Sequence, residues 1–342
     1  MKYFELGKSG IKVSQLVQGL WEAGGGYFGD PADKDTIDAV HADMEIGLNT
    51  FDTAEIYGMG HSEDVLGEAL KTLKGDYKRD DYVLIAKAWT THYAKSEMEK
   101  ALDVSLKRMN TDYLDVYFLH YPPYWGNENP VTIEEAVNNI NDMKKKGKIC
   151  GIGLSNFSLD ELKEAQKYAQ IDVIQPGYNL LWRYIDRDIF PYCRENDIAV
   201  ITYSSLAQGL LTGTLKKDSV VTDGRSKSVL FQPGTYEKCL EVTDFLIPIA
   251  AKYSVSVPQL VISWMVNTPG ITAPIVGNSN REQVFQNAEA LKIDLSKEDY
   301  DAIDERSKQF IASVPEFELN FNLNSNALSE AKKSTMGDES KD

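Results

Sequence analysis

Phe51-Asp52-Thr53-Ala54-Glu55-Ile56-Tyr57-Gly58 is the stretch that decides the fold, because a short apolar run ends here in polar residues. The run from residue 48 to 52 has the length of a buried strand, and residues 62–73 have the apolar spacing of an amphipathic helix. The same order of strand, polar end and helix recurs along the chain. Eight such units over about 300 residues predict an α/β fold, a (β/α)8 TIM barrel.

The predicted elements follow this alternation. The predicted strands are residues 15–19, 48–52, 82–87, 114–120, 151–154, 173–175, 199–203 and 272–276. The predicted helix-like segments are residues 34–46, 62–73, 95–108, 133–146, 159–169 and 187–196, then a longer helix-like region at 236–267, a further turn at 281–290 and a helix at 297–308. The runs at residues 3–6 and 11–13, on either side of a Gly-Lys-Ser-Gly turn, predict a β-hairpin that plugs the bottom of the barrel.

The predicted domain organisation is one barrel with an extension. We expect residues 1–312 to form the barrel domain, with long loops over its carboxyl-terminal face. We expect residues 313–342 to form a C-terminal extension. Its last stretch, from about residue 325, is polar and poor in aromatic residues and is therefore expected to be mobile.

Composition argues against several classes of function. Hydrophobic residues make up 42% of the chain without a run of about 18 apolar residues, so no transmembrane helix is expected. The net charge of −16 repels nucleic-acid phosphates and anionic lipids, so neither nucleic acid nor membrane is an expected partner. Three widely spaced cysteines and a charged N-terminus favour a cytoplasmic location, and four scattered histidines predict no metal site.

Candidate catalytic side chains stand where three consecutive predicted strands end. Asp52 and Tyr57 follow the second strand, Lys87 ends the third and His120 ends the fourth. Neighbouring strands lie about 4.8 Å apart, so these side chains are expected to converge. A free Tyr has a pKa of about 10, and a neighbouring Lys ammonium is expected to lower it so that Tyr57 transfers a proton to an alkoxide.

These residues, together with Gly153-Leu154-Ser155-Asn156-Phe157, resemble the aldo-keto reductases. The resemblance runs from about residue 3 to residue 308 and is strongest to the branch of bacterial aldo/keto reductases and voltage-gated potassium channel β subunits. It implies NADPH-dependent reduction of aldehydes or ketones, with Tyr57 as general acid. It also implies a catalytic tetrad of Asp52, Tyr57, Lys87 and His120.

The resemblance further implies binding residues for the cofactor. In the family such residues bind the nicotinamide amide, stack on its ring, surround the diphosphate and hold the adenosine. The matching positions in this sequence are Gly19, Trp21, Asp52, Ser155, Asn156, Gln175, Tyr203, Ser204, Leu206, Gly209, Arg225, Gly277, Ser279, Arg281, Gln283 and Asn287. Aromatic residues expected around the substrate are Trp21, Trp89, Tyr124 and Trp125, with Tyr27 and Phe28 as further candidates.

Two departures concern the cofactor. Gln283 stands where one branch of the family has an arginine for the 2′-phosphate, and Arg281 is a candidate substitute, so NADPH is expected and NADH is left open. Leu20 stands where a hydroxyl residue is frequent in the family. The partner expected from this likeness is a small-molecule carbonyl substrate, and the sequence leaves a homo-oligomer open.

Other interpretations of the sequence were weighed. A regulatory subunit that senses redox state through bound cofactor is one, although His120 replaces the asparagine usual in the channel subunits. Gly24-Gly25-Gly26-Tyr27-Phe28-Gly29 matches the glycine spacing of a Rossmann site, but the helix begins too late for that motif. A metal-dependent hydrolase would need more ligands than Asp52 and His120.

Overall fold

A closed eight-stranded parallel barrel forms the centre of the molecule. The computed structural model describes residues 1–26 and 31–314. Around the barrel the strand order is β10-β3-β4-β5-β6-β7-β8-β9, so the first and last barrel strands are neighbours and the sheet has no edge. The strands are β3 Val17–Gly19, β4 Thr50–Asp52, β5 Val83–Ala88, β6 Leu114–Leu119, β7 Ile149–Ser155, β8 Val173–Gln175, β9 Ala199–Thr202 and β10 Ala273–Gly277. The predicted TIM barrel is confirmed.

Helices cover the outside of the barrel and bury their apolar faces against it. They are α1 Asp33–Glu45, α2 His61–Lys71, α3 Lys95–Arg108, α4 Ile133–Lys145, α5 Leu159–Ala165, α6 Ile189–Glu195, α7 Thr235–Lys252, α8 Val257–Val266, α9 Arg281–Ala288 and α10 Lys297–Ser313. Thr132 and Ser158 cap α4 and α5 by accepting hydrogen bonds from backbone N–H groups three residues on. Helix α3 begins at Lys95 after Ala94, which supplies no side-chain cap.

The N-terminal hairpin closes the bottom of the barrel, as predicted. Its strands, β1 Tyr3–Glu5 and β2 Lys12–Ser14, pair antiparallel. Leu6 and Val13 are fully buried in the same apolar cluster as residues from inside the barrel, among them Phe118. This plug seals the amino-terminal end of the barrel from water, which leaves the carboxyl-terminal end as the open face.

The longer helix-like region predicted over residues 236–267 consists of two helices, α7 and α8. Ser254 adopts a left-handed backbone conformation with a φ of 56°, which ends α7. The Ser256 side chain accepts a hydrogen bond from the Gln259 backbone N–H, and the Gln259 side chain accepts one from the Ser256 backbone N–H, so this capping box starts α8. Pro258 lies in the first turn of α8. Among the described residues no single helix is long and apolar enough to cross a membrane, and α7 and α8, which reach that length and composition together, are bent by 90°.

The C-terminal boundary is described only in part. The helix α10 ends at Ser313, close to the predicted end of the barrel domain at residue 312. The expected C-terminal extension lies outside the described residues from residue 315 onward, and so do Tyr27 and Phe28.

Candidate active site

Lys87 joins the ends of two barrel strands at the open face. It is fully buried on β5, and its Nζ donates hydrogen bonds to Asp52 Oδ1 at 2.5 Å, to the Thr53 carbonyl at 3.0 Å and to the Tyr57 hydroxyl oxygen at 3.3 Å. Asp52 accepts a second hydrogen bond on Oδ2, from Gln175 Nε2 on β8 at 2.6 Å. The carboxylate is therefore held from across the barrel, and it holds the lysine beside the tyrosine.

The electrostatics of this cluster follow from burial. Burial raises the pKa of Asp52 and lowers the pKa of Lys87. The charge of Lys87 opposes the rise for Asp52, and the charge of Asp52 opposes the fall for Lys87. For Tyr57, burial and then the nearby charge of Asp52 raise its pKa well above the usual value. This direction is opposite to the expected one, because a paired Lys87 offers a hydrogen bond with little net positive charge. Tyr57 is consequently a neutral phenol near neutral pH.

His120 lies beside Tyr57 as a neutral imidazole. Burial and then the charge of Lys87 lower its pKa well below the usual value. Its ring meets the Tyr57 ring edge-on with 5.7 Å between centroids, and the Trp89 ring with 5.5 Å. Its Nδ1 is buried and has no hydrogen-bond partner among the described residues. A neutral imidazole in this position keeps one N–H for a small ligand.

Two glycines allow the turn that carries Tyr57 to approach the turn after β3. A Cβ on Gly58 would lie 2.3 Å from the Gly24 carbonyl oxygen, and a Cβ on Gly24 would lie 2.6 Å from the Gly58 nitrogen. Gly58 also has a φ of 58°. Glycine is therefore required at position 24 because the two backbones pack closely there. Gly24 ends the short 3₁₀ turn Glu22–Gly24, whereas a Rossmann site would have a long helix.

A cleft of about 560 Å³ runs from this cluster to the end of β10. The expected cofactor residues that line the cleft are Gly19, Trp21, Asp52, Ser155, Asn156, Gln175, Tyr203, Ser204, Leu206, Gly209, Arg225, Gly277, Ser279, Gln283 and Asn287. Asn156, at a φ of 64°, accepts a hydrogen bond from the Tyr203 hydroxyl at 2.7 Å and donates to the His120 carbonyl at 3.0 Å. These bonds fix the Tyr203 ring at the wall of the cleft.

Arg225 reaches the cleft from the long connection between β9 and α7. Its guanidinium donates hydrogen bonds to the Gln208 carbonyl at 3.2 Å and to both carboxylate oxygens of Asp223. Both amide atoms of Gln208 are buried without a hydrogen-bond partner among the described residues. This side of the cleft therefore combines a positive charge with unused polar atoms.

Arg281 does not line the cleft. Its guanidinium pairs with the Glu45 carboxylate on α1, with Nη1 donating to Oε1 at 3.0 Å, and it lies over the ring of Phe285. Both members of the ion pair are about half exposed, at 47% and 50% of their side-chain surface. The residue expected to replace a missing phosphate-binding arginine therefore faces outward.

The expected substrate aromatics are placed differently from one another. Trp21 lines the cleft, and Trp89 borders it through His120 while its backbone N–H donates to the Glu55 carboxylate. Trp125 stacks on Tyr121 with 5.0 Å between centroids. Tyr124 does not line the cleft, because its hydroxyl donates to Glu161 at 2.7 Å.

The cleft residues that were not predicted from the sequence include Tyr121 and Glu22. Tyr121 lines the cleft and stacks on His120 with 5.3 Å between centroids. Glu22 lines the opposite end. Each directly follows a predicted site residue, His120 or Trp21, and that adjacency was the available signal. Among the described residues no group of three or more His, Cys, Asp or Glu side chains could hold a metal ion.

The structure is thus a plugged parallel barrel with a Lys-Asp-Tyr-His cluster at the floor of a cleft on its open face. The model of the aldo/keto reductase family matches residues 15–308, and the chain belongs to that family. It is 32% identical to an NADH-specific methylglyoxal reductase of Escherichia coli (strain K12), over 87% of this chain and 96% of the relative.

Two further relatives indicate the breadth of the family. A probable voltage-gated potassium channel subunit beta of Oryza sativa subsp. japonica is 30% identical, over 86% of this chain and 92% of the relative. The crystal structure of an aldo/keto reductase from Klebsiella pneumoniae in complex with NADP and acetate is 28% identical, with a TM-score of 0.71 over 94% of this chain and 99% of the other.

Proposed function

We propose that this protein reduces aldehydes or ketones to alcohols with a nicotinamide dinucleotide, and that Tyr57 donates the proton. The observation that carries the proposal is the hydroxyl of Tyr57, held 3.3 Å from Lys87 Nζ at the floor of the cleft. NADPH is the cofactor expected from the family, whereas the Escherichia coli relative is described as NADH-specific.

The residues of the cleft fit such a cofactor. Ser155, Asn156 and Gln175 offer amide and hydroxyl groups beside the tetrad, where the nicotinamide would lie, and the Tyr203 ring offers a stacking surface. Arg225 carries a positive charge to the middle of the cleft, where a diphosphate would lie. The end formed by Gly277, Ser279, Gln283 and Asn287 would hold the adenosine. The Klebsiella pneumoniae relative holds NADP on the same fold.

The four residues of the tetrad would then carry out and assist the transfer of one proton to the substrate. A nicotinamide held in the cleft would supply the hydride for the carbonyl carbon of the substrate. Tyr57 donates its hydroxyl proton to the oxygen that becomes an alkoxide, and Lys87 stabilises the resulting phenolate by its N–H. Asp52 keeps Lys87 charged and oriented. Neutral His120 donates a hydrogen bond to the carbonyl oxygen and directs it towards Tyr57.

The substrate class follows from the lining around the tetrad. Trp21 and His120 lie near the Tyr57 ring, with 6.4 and 5.7 Å between ring centroids, and Tyr121 stacks on His120. Such a lining suits apolar or aromatic carbonyl compounds, with hydrogen bonds to the carbonyl oxygen alone. A test panel should therefore contain aromatic and aliphatic aldehydes and ketones. It should also contain methylglyoxal, because the Escherichia coli relative is described as a methylglyoxal reductase.

Replacement of Tyr57 by Phe tests the proposal. Turnover of NADPH or NADH with the panel is expected to fall by about 10²–10⁴, because the general acid is lost while the ring remains. Direct cofactor binding is expected to persist. Tyr113→Phe is the matched control, since Tyr113 donates its hydroxyl to Asp80 away from the cleft. Near wild-type turnover by Tyr57→Phe would contradict the assignment of the proton donor. Tight cofactor binding without turnover in the wild type would instead support a regulatory subunit.

A further inference from the structure

Glu22 places a carboxyl group inside the cleft, at the end away from the tetrad. It begins the 3₁₀ turn after β3, and its carboxylate lies against Gly277 at the end of β10. A Cβ on Gly277 would meet Glu22 Oε2 at 2.5 Å and Oε1 at 3.1 Å. The carboxylate thus occupies the space that a side chain on Gly277 would fill.

This carboxyl group has a neighbour that donates a hydrogen bond, and no cation among the described residues pairs with it. Burial raises the pKa of Glu22 to about 7, and a hydrogen bond with the Ser279 side chain opposes that rise. The charged side chains among the described lining residues are Glu22, Asp52 and Arg225. Asp52 pairs with Lys87 and Arg225 pairs with Asp223, so neither cation is committed to Glu22.

The neighbouring positions add no positive charge at this end. Gln283 and Asn287 line it with amides, and Gln283 accepts a hydrogen bond from the Ser279 backbone N–H at 2.8 Å. Arg281 is paired with Glu45 on the outer surface. An anionic group placed here therefore meets the charge of Glu22 without a compensating partner among the described residues.

We propose that Glu22 sets the balance between NADPH and NADH, because its carboxylate acts against the additional phosphate of NADPH. The inference rests on the proposed cofactor site, in which the adenosine lies between Gly277 and Asn287. The additional phosphate brings up to two negative charges near neutral pH, whereas the ribose hydroxyl of NADH can donate a hydrogen bond to a carboxylate. Glu22 thus lowers the affinity for NADPH while leaving that for NADH largely unchanged.

Direct binding measurements on Glu22→Gln test this balance without requiring turnover. The quenching of tryptophan fluorescence by NADPH and by NADH gives a Kd for each at pH 8, where Glu22 is ionised. The Kd for NADPH is expected to fall by roughly tenfold and that for NADH to change by less than about threefold. Glu68→Gln is the matched control, since it removes one negative charge from an exposed position on α2, outside the cleft.

A second variant, Glu22→Ala, distinguishes charge from space. Selective tightening of NADPH in both variants supports the proposal. Equal tightening of both cofactors would overturn it, because the carboxylate would then act on the diphosphate or merely occupy volume. An unchanged ratio of the two Kd values in both variants would overturn it as well. If the wild-type protein bound neither cofactor, the proposed function itself would fail, which is distinguishable from failure of the role of Glu22.

Discussion

The two ends of the cleft hold a buried carboxyl group in different ways. At the tetrad end, Asp52 has Lys87 on one oxygen and Gln175 on the other. At the opposite end, Glu22 has a hydrogen bond with Ser279 and no cation partner within residues 1–26 and 31–314, and burial raises its pKa to about 7. A buried carboxylate with a matched cation remains charged and positions that cation, whereas an unmatched one is poised between its two protonation states.

The difference has a consequence for function. The matched pair serves chemistry that needs the same geometry in every turnover, and its residues stand at strand ends, where the barrel fixes the backbone. The unmatched carboxyl stands on the short 3₁₀ turn Glu22–Gly24, outside the barrel strands. We therefore expect variants at the tetrad end to affect both turnover and folding, and variants at the other end to affect cofactor choice.

Removal of Lys87 is expected to give the largest effect. Lys87→Met takes the cation from Asp52, so turnover with any carbonyl substrate should fall by about 10³ or more. The free energy of unfolding should fall by about 3–5 kcal/mol, because an uncompensated carboxylate stays in a buried site. Denaturant titration and steady-state oxidation of NADPH or NADH measure the two effects.

The double variant Asp52→Asn/Lys87→Met separates these two effects. With both charges gone, most of the lost stability should return while turnover stays low, because Tyr57 still lacks its lysine. If the double variant were no more stable than Lys87→Met alone, the two residues would not form the matched pair described above. If Lys87→Met kept near wild-type turnover, Lys87 would have no part in the proton transfer.

The tetrad end was predictable from sequence because β/α alternation identifies strand ends. Once Asp52, Lys87 and His120 are each placed at the end of a strand, parallel pairing brings them to one face. The observed strands agree closely with the predicted ones, so Asp52, Lys87 and His120 lie at the predicted end of the barrel. The direction of the pKa shift of Tyr57 was not predictable, because it depends on how far burial outweighs a lysine already paired with Asp52.

The other end was predictable only in part. Gly277, Ser279 and Gln283 follow a strand and begin a helix, so their position could be inferred from order along the chain. Glu22 could not, because its carboxylate reaches Gly277 across 255 positions of sequence through a turn whose path depends on the packing of Gly24 against Gly58. Tyr124 illustrates the same limit, since its hydroxyl turns to Glu161.

The intermediate effect concerns stability and pH at Glu22. In the folded protein the pKa of Glu22 is about 7, against 4.5 for an ordinary Glu, so the folded state holds one more proton between these values. Stability contributed by this group is therefore present below pH 4.5 and is lost as the pH rises through 7. Glu22→Gln should gain about 1–3 kcal/mol of unfolding free energy relative to wild type between acid pH and pH 8.

Denaturant titrations of both proteins at a series of pH values measure this difference. Asp43, whose pKa burial raises strongly, contributes equally to wild type and variant, so its effect cancels. A stability difference that did not vary with pH would mean that Glu22 is not an unmatched carboxyl group, and the contrast between the two ends would fail.

The smallest effect is expected at Arg281, next to the unmatched end. Its guanidinium pairs with Glu45 at an exposed position, so Arg281→Ala removes a surface ion pair without removing a cation from the cleft. The Kd values for NADPH and NADH should each change by less than about twofold, and Glu45→Gln should behave in the same way. Fluorescence titration with both cofactors measures these changes. Selective weakening of NADPH by about tenfold in Arg281→Ala alone would mean that Arg281 leaves Glu45 to neutralise the additional phosphate. Both ends of the cleft would then be matched when the cofactor is bound, and Glu22 would lose its charge-selecting role.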